Sequence, residues 1–275
     1  MEVKARPKPG FRAALRLYWI LASASVRATM QYKFDFVTTS IIQAVTGAFD
    51  YYLIGVILWK FDTVAGWDIF EIGLLFAVSK IGLGIYRVFS EELEQFERYM
   101  IRGDFDSVLI RPYPSLFVLM SRKVDLSRFA LALQGIGVAA ISVPRLLQTG
   151  QLTWGELGFL AMACLASAVL YFVVGLATAS AAFWIVRIDE LQVFTQNAPA
   201  TATLHPLEIY PGWLRAVLLS VLPFGVGNYV PIAYLLEKGG TWMNLVWPIV
   251  ACVAGLAISF RLWHAGEHAY QSTGS

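Results

Sequence analysis

The sequence predicts an all-α membrane protein, and three observations carry that prediction. Hydrophobic residues make up 57% of the 275-residue chain and charged residues only 15%, against about 25% charged in soluble domains. Mean hydropathy is +0.61. Apolar windows of about 20 residues, the length a helix needs to cross a bilayer, recur along the chain.

The first 33 residues open with the basic, Pro-rich MEVKARPKPG. In the stretch that follows, Arg12, Arg16 and Arg27 interrupt the apolar run, leaving it too short to span and without a clean cleavage pattern. Arginines interleaved with Leu15, Tyr18, Trp19 and Leu21 predict an amphipathic helix lying in the membrane interface.

Spans are expected from Phe34 to Leu58, Ile69 to Phe89, Phe129 to Leu147, Leu157 to Ile185 and Met243 to Leu262. Between Arg187 and Trp242 the chain is first polar, IDELQVFTQNAPATATLHPLEIYP, and then apolar but broken by Pro223, Gly225, Gly227 and Pro231. Broken backbone at membrane depth needs protein or water to cover it. This predicts a polar fifth span, Asp189 to Leu204, followed by re-entrant helices within an external region, 205–241. The chain is then one transmembrane domain, 1–275, with about six transmembrane helices.

Of the 21 Lys and Arg residues, all but Lys60, Lys80, Arg145, Arg215 and Lys238 fall within 1–33, within 87–128, at Arg187 or at Arg261, where the last span meets the tail. The positive-inside rule places those segments, and with them both termini, in the cytoplasm. Trp59, Trp67, Trp154, Trp213, Trp242 and Trp247 suit the aromatic belts at the two interfaces.

Enzyme signatures are missing. No GxxxxGK[ST] run is present to cradle nucleotide phosphates. His205, His264 and His268 do not cluster with cysteines; His264 and His268 have i,i+4 spacing beside Glu267, but no metal site is expected. Cys164 and Cys252 lie in apolar windows as packing residues. No nucleophile elbow or paired-carboxylate cleft stands out, and basic residues flank spans instead of forming a nucleic-acid patch. The chain is expected to catalyse nothing, to bind no cofactor itself and to have lipid, not nucleic acid, around it.

The polar island from Arg87 to Arg128, which contains the cytoplasmic loop 90–128, is the most patterned part of the chain. Phe89, Leu93, Phe96 and Met100 recur near helical period, with Glu91, Glu92, Glu94, Glu97 and Arg98 on the other faces. Ser90 and its glutamates suit a helix start, Arg98 and Arg102 a helix end, and Gly103 a stop. A second short element, Phe105 to Ile110, precedes the break at Arg111-Pro112-Tyr113-Pro114. By pattern alone this is either a connector between spans or a docking surface.

RGDFDSVLIRPYPSLF resembles the intracellular loop of type-2 ATP-binding-cassette (ABC) transporter permeases. HPLEIYPGWLRAVLLSVLPFGVGNYVPIAYLL is similar to the re-entrant region before their last span, and the order of features matches over most of the chain. The closest similarity is to a bacterial branch of unassigned substrate. The resemblance implies a permease subunit of an ATP-driven exporter in the bacterial cytoplasmic (inner) membrane. It implies dimerisation with a second permease, either different or a copy of itself. It also implies docking of ABC ATPase subunits, which would carry ATP and Mg, on a coupling helix in the cytoplasmic loop. Carried over by position, the contacts would be Glu94, Glu97, Arg98, Arg102, Gly103, Asp104, Phe105, Asp106, Leu109, Arg111 and Pro112. The sequence departs from the family pattern in its fuller RGDFD run. A secondary transporter driven by an ion gradient, or a non-transport membrane scaffold, stand as alternatives.

Ionisable and polar residues within spans are costly and mark pathways or seams. Lys80 is either a path residue or a charge that snorkels or pairs across the bundle, with Asp50 its candidate partner. Gln192, Gln196 and Asn197 either line a cavity or hydrogen-bond neighbouring helices.

Overall fold

The computed structural model describes residues 33–61 and 63–271, together with Arg16, Ile20, Ser23, Ala24 and Arg27. The interfacial helix expected over 1–33 lies almost entirely outside the described residues. Among these, the regular structure is helical, and the one β-type pairing is an isolated bridge from Val64 to Trp67. This is an all-α membrane protein.

Helix α1, Lys33–Phe61, leads to α2, Ile69–Phe89. Four short helices follow: α3 Glu91–Glu94, α4 Phe96–Arg102, α5 Asp106–Leu109 and α6 Ser115–Arg122. Then come the long α7, Phe129–Gln148, and α8, Leu157–Ile185. A broken segment joins α9, Asp189–Gln192, through a π-turn, Val193–Asn197, to α10, Ala198–Ala202. Three more short helices, α11 Gly212–Leu219, α12 Phe224–Gly227 and α13 Tyr229–Leu235, precede the final α14, Met243–Ala269.

Among the described residues four helices are long and apolar enough to cross a membrane: α2, α7, α8 and α14, with α7 and α8 each extended by a preceding turn. Helix α11 and the 224–235 pair, bent by 69°, make a fifth if counted as one broken span, in keeping with the short-helix pair expected there. Helix α1, in the place of the expected first span, is continuous over 29 residues. At about 1.5 Å per residue it is longer than the hydrocarbon core is thick. The fifth expected span departs most from the sequence reading. Asp189 to Ala202 is helical but only about 20 Å long at that rise, and it is too polar to count as a span by composition. It still connects the two ends of the bundle, from Glu97 to the cluster that holds Leu204 and Leu207. Neighbouring helices supply the partners that lipid could not.

Helix α2 is the central strut. It is buried along most of its length, which is why it is apolar on every side. It packs on α7 and α8, and α8 packs on α14. Glycines set the α2–α7 distance: a Cβ on Gly84 would lie 2.4 Å from the Ala132 amide nitrogen, and one on Gly135 2.6 Å from the Ala77 carbonyl. Small residues at membrane helix crossings permit this approach.

Asp68 and Glu71 form a capping box at the start of α2. The buried Glu71 also pairs with Lys238 at 2.8 Å, and Lys238 donates to the Gly66 carbonyl at 2.8 Å. That staple ties the turn after α13 to the α2 N-terminus. The apolar core here gathers Trp67, Ile72, Leu75, Leu146, Leu207 and Ile232. A second cluster, at the Arg87 end, holds Leu93, Phe96, Phe105, Leu119, Leu176 and Trp263.

Gly84→Leu is expected to abolish the folded, monodisperse protein on detergent size-exclusion chromatography. Gly137→Ala, whose new methyl meets nothing within 4 Å, is expected to leave the elution profile and melting temperature unchanged.

Candidate functional site

Two features at and beside the Arg87 end stand out: the surface built by α3 to α6, and a polar cleft between α1, α2, α7 and the π-turn segment. The surface rests on an aromatic anchor. Phe96, fully buried, meets Phe105 at 5.4 Å, Phe183 at 5.2 Å and Trp263 at 4.9 Å between ring centroids. Phe105 in turn meets Phe183 at 5.3 Å and Tyr270 at 5.2 Å. Offset and edge-to-face ring pairs of this kind add about 0.5–1.5 kcal/mol each beyond their burial. The short helices are thereby fixed to the ends of α8 and α14, and the Trp263 indole N–H donates to Ser115 Oγ at 3.1 Å.

Local chemistry explains the shape of the segment. The expected amphipathic helix is broken at Gln95 into α3 and α4. Gly103, with φ 71°, closes α4 in the left-handed conformation that glycine adopts without strain. Arg122 bridges Tyr99 Oη at 3.2 Å and Ser107 Oγ at 3.0 Å, holding α6 against α4 and α5. Tyr99 also donates to Glu92. Burial first, and that carboxylate second, push the Tyr99 phenol up to about 12.

The eleven positions picked from the sequence separate into two groups. Arg98, Arg102, Asp104, Leu109, Arg111 and Pro112 are exposed. Glu97, Gly103 and Phe105 are buried, and Glu94 and Asp106 are half-buried. Glu97 Oε2 accepts from the Ile188 and Asp189 amides at 2.5 and 2.9 Å, capping the start of α9. It holds the fold, and its carboxylate does not face outward. Two residues the sequence reading passed over complete the outer face: Ile101, 56% exposed, and Ile110, 84% exposed. Ile101 falls off the period set by Phe96 and Met100, a signal that was present, whereas Ile110 lies beyond the Gly103 stop, where that period no longer applies.

The cleft has a volume of about 290 Å³ and is lined by Gln43, Thr46, Ser79, Lys80, Arg87, Arg128, Gln134, Asn197 and Thr201, with Leu83 and Leu131 between them. Lys80 pairs with Asp50 at 3.0 Å and lies 5.2 Å from the centre of the Phe76 ring, so the pairing across the bundle is realised and Lys80 also lines the cleft. Asn197 Oδ1 accepts from Arg87 Nη2 at 2.8 Å. Gln196 is buried and accepts from the Tyr86 hydroxyl at 3.0 Å, while Gln192 donates to the Leu93 carbonyl at 3.3 Å. Those two tie helices together and do not line the cleft. Gln43 and Gln134, missed in the sequence, are each a lone glutamine in an apolar window, and each keeps a buried amide oxygen without a hydrogen-bond partner. Gln134 reaches over Gly47, where a Cβ would fall 1.7 Å from its Oε1.

Around the cleft the charges are paired. Arg87 Nε lies 3.3 Å from Glu94, and Arg128 lies 3.4 Å from Glu91 and 3.5 Å from Asp125. Lys123 lies 3.2 Å from the same Glu91. Burial raises the Glu94 carboxyl above its ordinary value, and the Arg87 and Arg128 guanidinia oppose that shift. Among the described residues no group of three or more His, Cys, Asp or Glu side chains is arranged to hold a metal ion.

A family model described as an ABC-2 family transporter protein matches residues 44–274. The chain belongs to this family. It is therefore a membrane permease of an ABC system, a transport component that is not itself catalytic. Membership also implies association with ABC ATPase subunits. No curated protein and no solved structure matches the chain.

Glu97→Ala in the permease leaves the buried Ile188 amide and the part-buried Asp189 amide without their acceptor, an expected cost of about 1–3 kcal/mol. It should be read as faster hydrogen exchange at residues 188–192, with Arg98→Ala unchanged. Asp50→Leu strands the buried Lys80 ammonium and is expected to lower the melting temperature, whereas Asp50→Leu combined with Lys80→Met recovers most of the loss.

Proposed function

We propose that this permease is the membrane half of an ATP-driven exporter in a bacterial cytoplasmic membrane. Its coupling surface is the exposed face of α4 and α5, formed by Arg98, Ile101, Arg102, Asp104, Leu109, Ile110, Arg111 and Pro112. A separate ATPase subunit, carrying ATP and Mg, docks there, on the cytoplasmic side with both termini. The observation that carries this reading is the contrast between the two faces of the segment. Its inner face is locked into the aromatic cluster of α8 and α14, and its outer face leaves Ile110 almost fully exposed among arginines. A protein surface with an apolar knob ringed by charge suits a specific partner groove.

The cleft supplies the transport path. It lies on the surface of a single chain, walled by α1, α2, α7 and the π-turn segment, and a second permease, identical or different, closes it into a cavity at the seam. Nucleotide-driven closure of the ATPase pair pushes the coupling surfaces together, and the rigid anchor passes that displacement to α8 and α14.

Copurification with the ATPase encoded beside it tests the reading. Ile110→Asp and Arg111→Glu are each expected to release the ATPase while leaving the permease folded, and Arg215→Ala, at the opposite end, is expected to retain it. Retention by both surface variants would overturn the docking assignment. Transport that follows a proton or sodium gradient with no ATPase bound would favour the ion-gradient mechanism.

A further inference from the structure

We propose that Arg87 and Arg128 are positioning residues that relay movement of α3 to the cleft, converting displacement of the docking segment into a change in the cleft wall. This rests on the proposal that an ATPase docks on the 90–128 segment, and it names how the segment and the transport path communicate.

The two arginines occupy both places at once. Each lines the cleft, and each is paired with a carboxylate of α3: Arg87 with Glu94 at 3.3 Å, Arg128 with Glu91 at 3.4 Å. Arg87 goes further, donating to Asn197 at 2.8 Å on the opposite wall. The chain Glu94–Arg87–Asn197 therefore runs from the docking segment across the cleft margin to the π-turn segment without a gap.

Its position relative to the backbone gives it leverage. Helix α2 ends at Phe89 and α3 begins at Glu91, so Arg87 stands on one side of the Ser90 joint and Glu94 on the other. A tilt of α3 about that joint must stretch the Arg87–Glu94 pair or carry Arg87 with it. The same tilt acts on Arg128, which stands beyond α6 at the foot of α7. Breaking the pairs in place is unfavourable, because the Glu91 side chain is only 4% exposed and that of Glu94 19%. A carboxylate that dry must keep its cation or take up a proton. Charge pairing thus makes the link stiff in a way that apolar contacts at the same positions would not be.

The relay can be followed without knowing the cargo. The permease–ATPase complex would be purified in lipid nanodiscs, with Cys164 and Cys252 replaced by serine and an environment-sensitive fluorophore attached through Thr201→Cys at the cleft. Addition of ATP, Mg and vanadate is expected to shift the emission of this parent complex. Arg87→Met should lose that shift while its ATPase still copurifies. The charge-swapped pair Arg87→Glu with Glu94→Arg should recover it. Should Arg87→Met fail to fold, the near-isosteric Glu94→Gln carries the same test, with loss of the shift at an unchanged melting temperature expected. A full emission shift in Arg87→Met or Glu94→Gln would overturn the relay and leave docking intact. Failure of the parent chain to retain the ATPase would overturn the docking proposal, and the relay with it.

Discussion

Phe96 sits where four rings converge, and the Arg87 end of the molecule is organised by that burial. The residue belongs to a seven-residue helix too short to be stable by itself. Its ring is nevertheless enclosed by Phe105 from the next short helix, Phe183 from α8 and Trp263 from α14. Short helices in water are marginal, and these are held by tertiary packing instead of by their own hydrogen bonds. The consequence is a polar segment that behaves as an extension of two membrane helices. Its outward side chains, Arg98 through Pro112, inherit a fixed geometry that a free loop would not have.

The same end is also where charge is concentrated, and the two facts are connected. Glu91, Glu94 and Glu97 are drawn inward when the aromatic cluster pulls α3 and α4 onto the bundle. Once there, each needs a partner: Glu91 lies beside Lys123 and Arg128, Glu94 beside Arg87, and Glu97 accepts from two backbone amides. The network leaves arginines at the mouth of the cleft as a by-product of balancing the acids behind them. What looks like a cationic cleft is the visible edge of a nearly neutral lattice.

Much of this was legible in the residues. The helical class, four of the spans and the stop at Gly103 follow from hydropathy windows and from glycine's freedom at positive φ. The location of the patterned segment follows from charge placement. Which of its residues face outward was not legible, because Glu97 and Phe105 are drawn inward by partners 80 and more residues away in sequence, Ile188 and Trp263. No local period encodes those contacts. The cleft was half legible. Lys80, Asp50 and Asn197 announce themselves as polar groups in apolar surroundings, but Gln43 and Gln134 become meaningful only once α1 crosses α7 at Gly47. The Asp189 segment was read to within two residues of its end, Leu204 against Ala202, but the π-turn that interrupts it has no local signature in the sequence.

The π-turn at Val193–Asn197 has a consequence of its own. A wide turn accommodates one residue more than an α-helical turn, so consecutive side chains that would splay by about 100° are re-phased relative to the rest of the helix. Here it brings Gln196 and Asn197, neighbours in sequence, against Tyr86 and Arg87, which are also neighbours in sequence. The segment is in effect a vernier set one notch off the regular helix. Removing a single residue between Val193 and Asn197 would restore regular winding and leave Ala198 to Leu204 walling the cleft as they do now, while the paired contacts of Gln196 and Asn197 with Tyr86 and Arg87 would be lost.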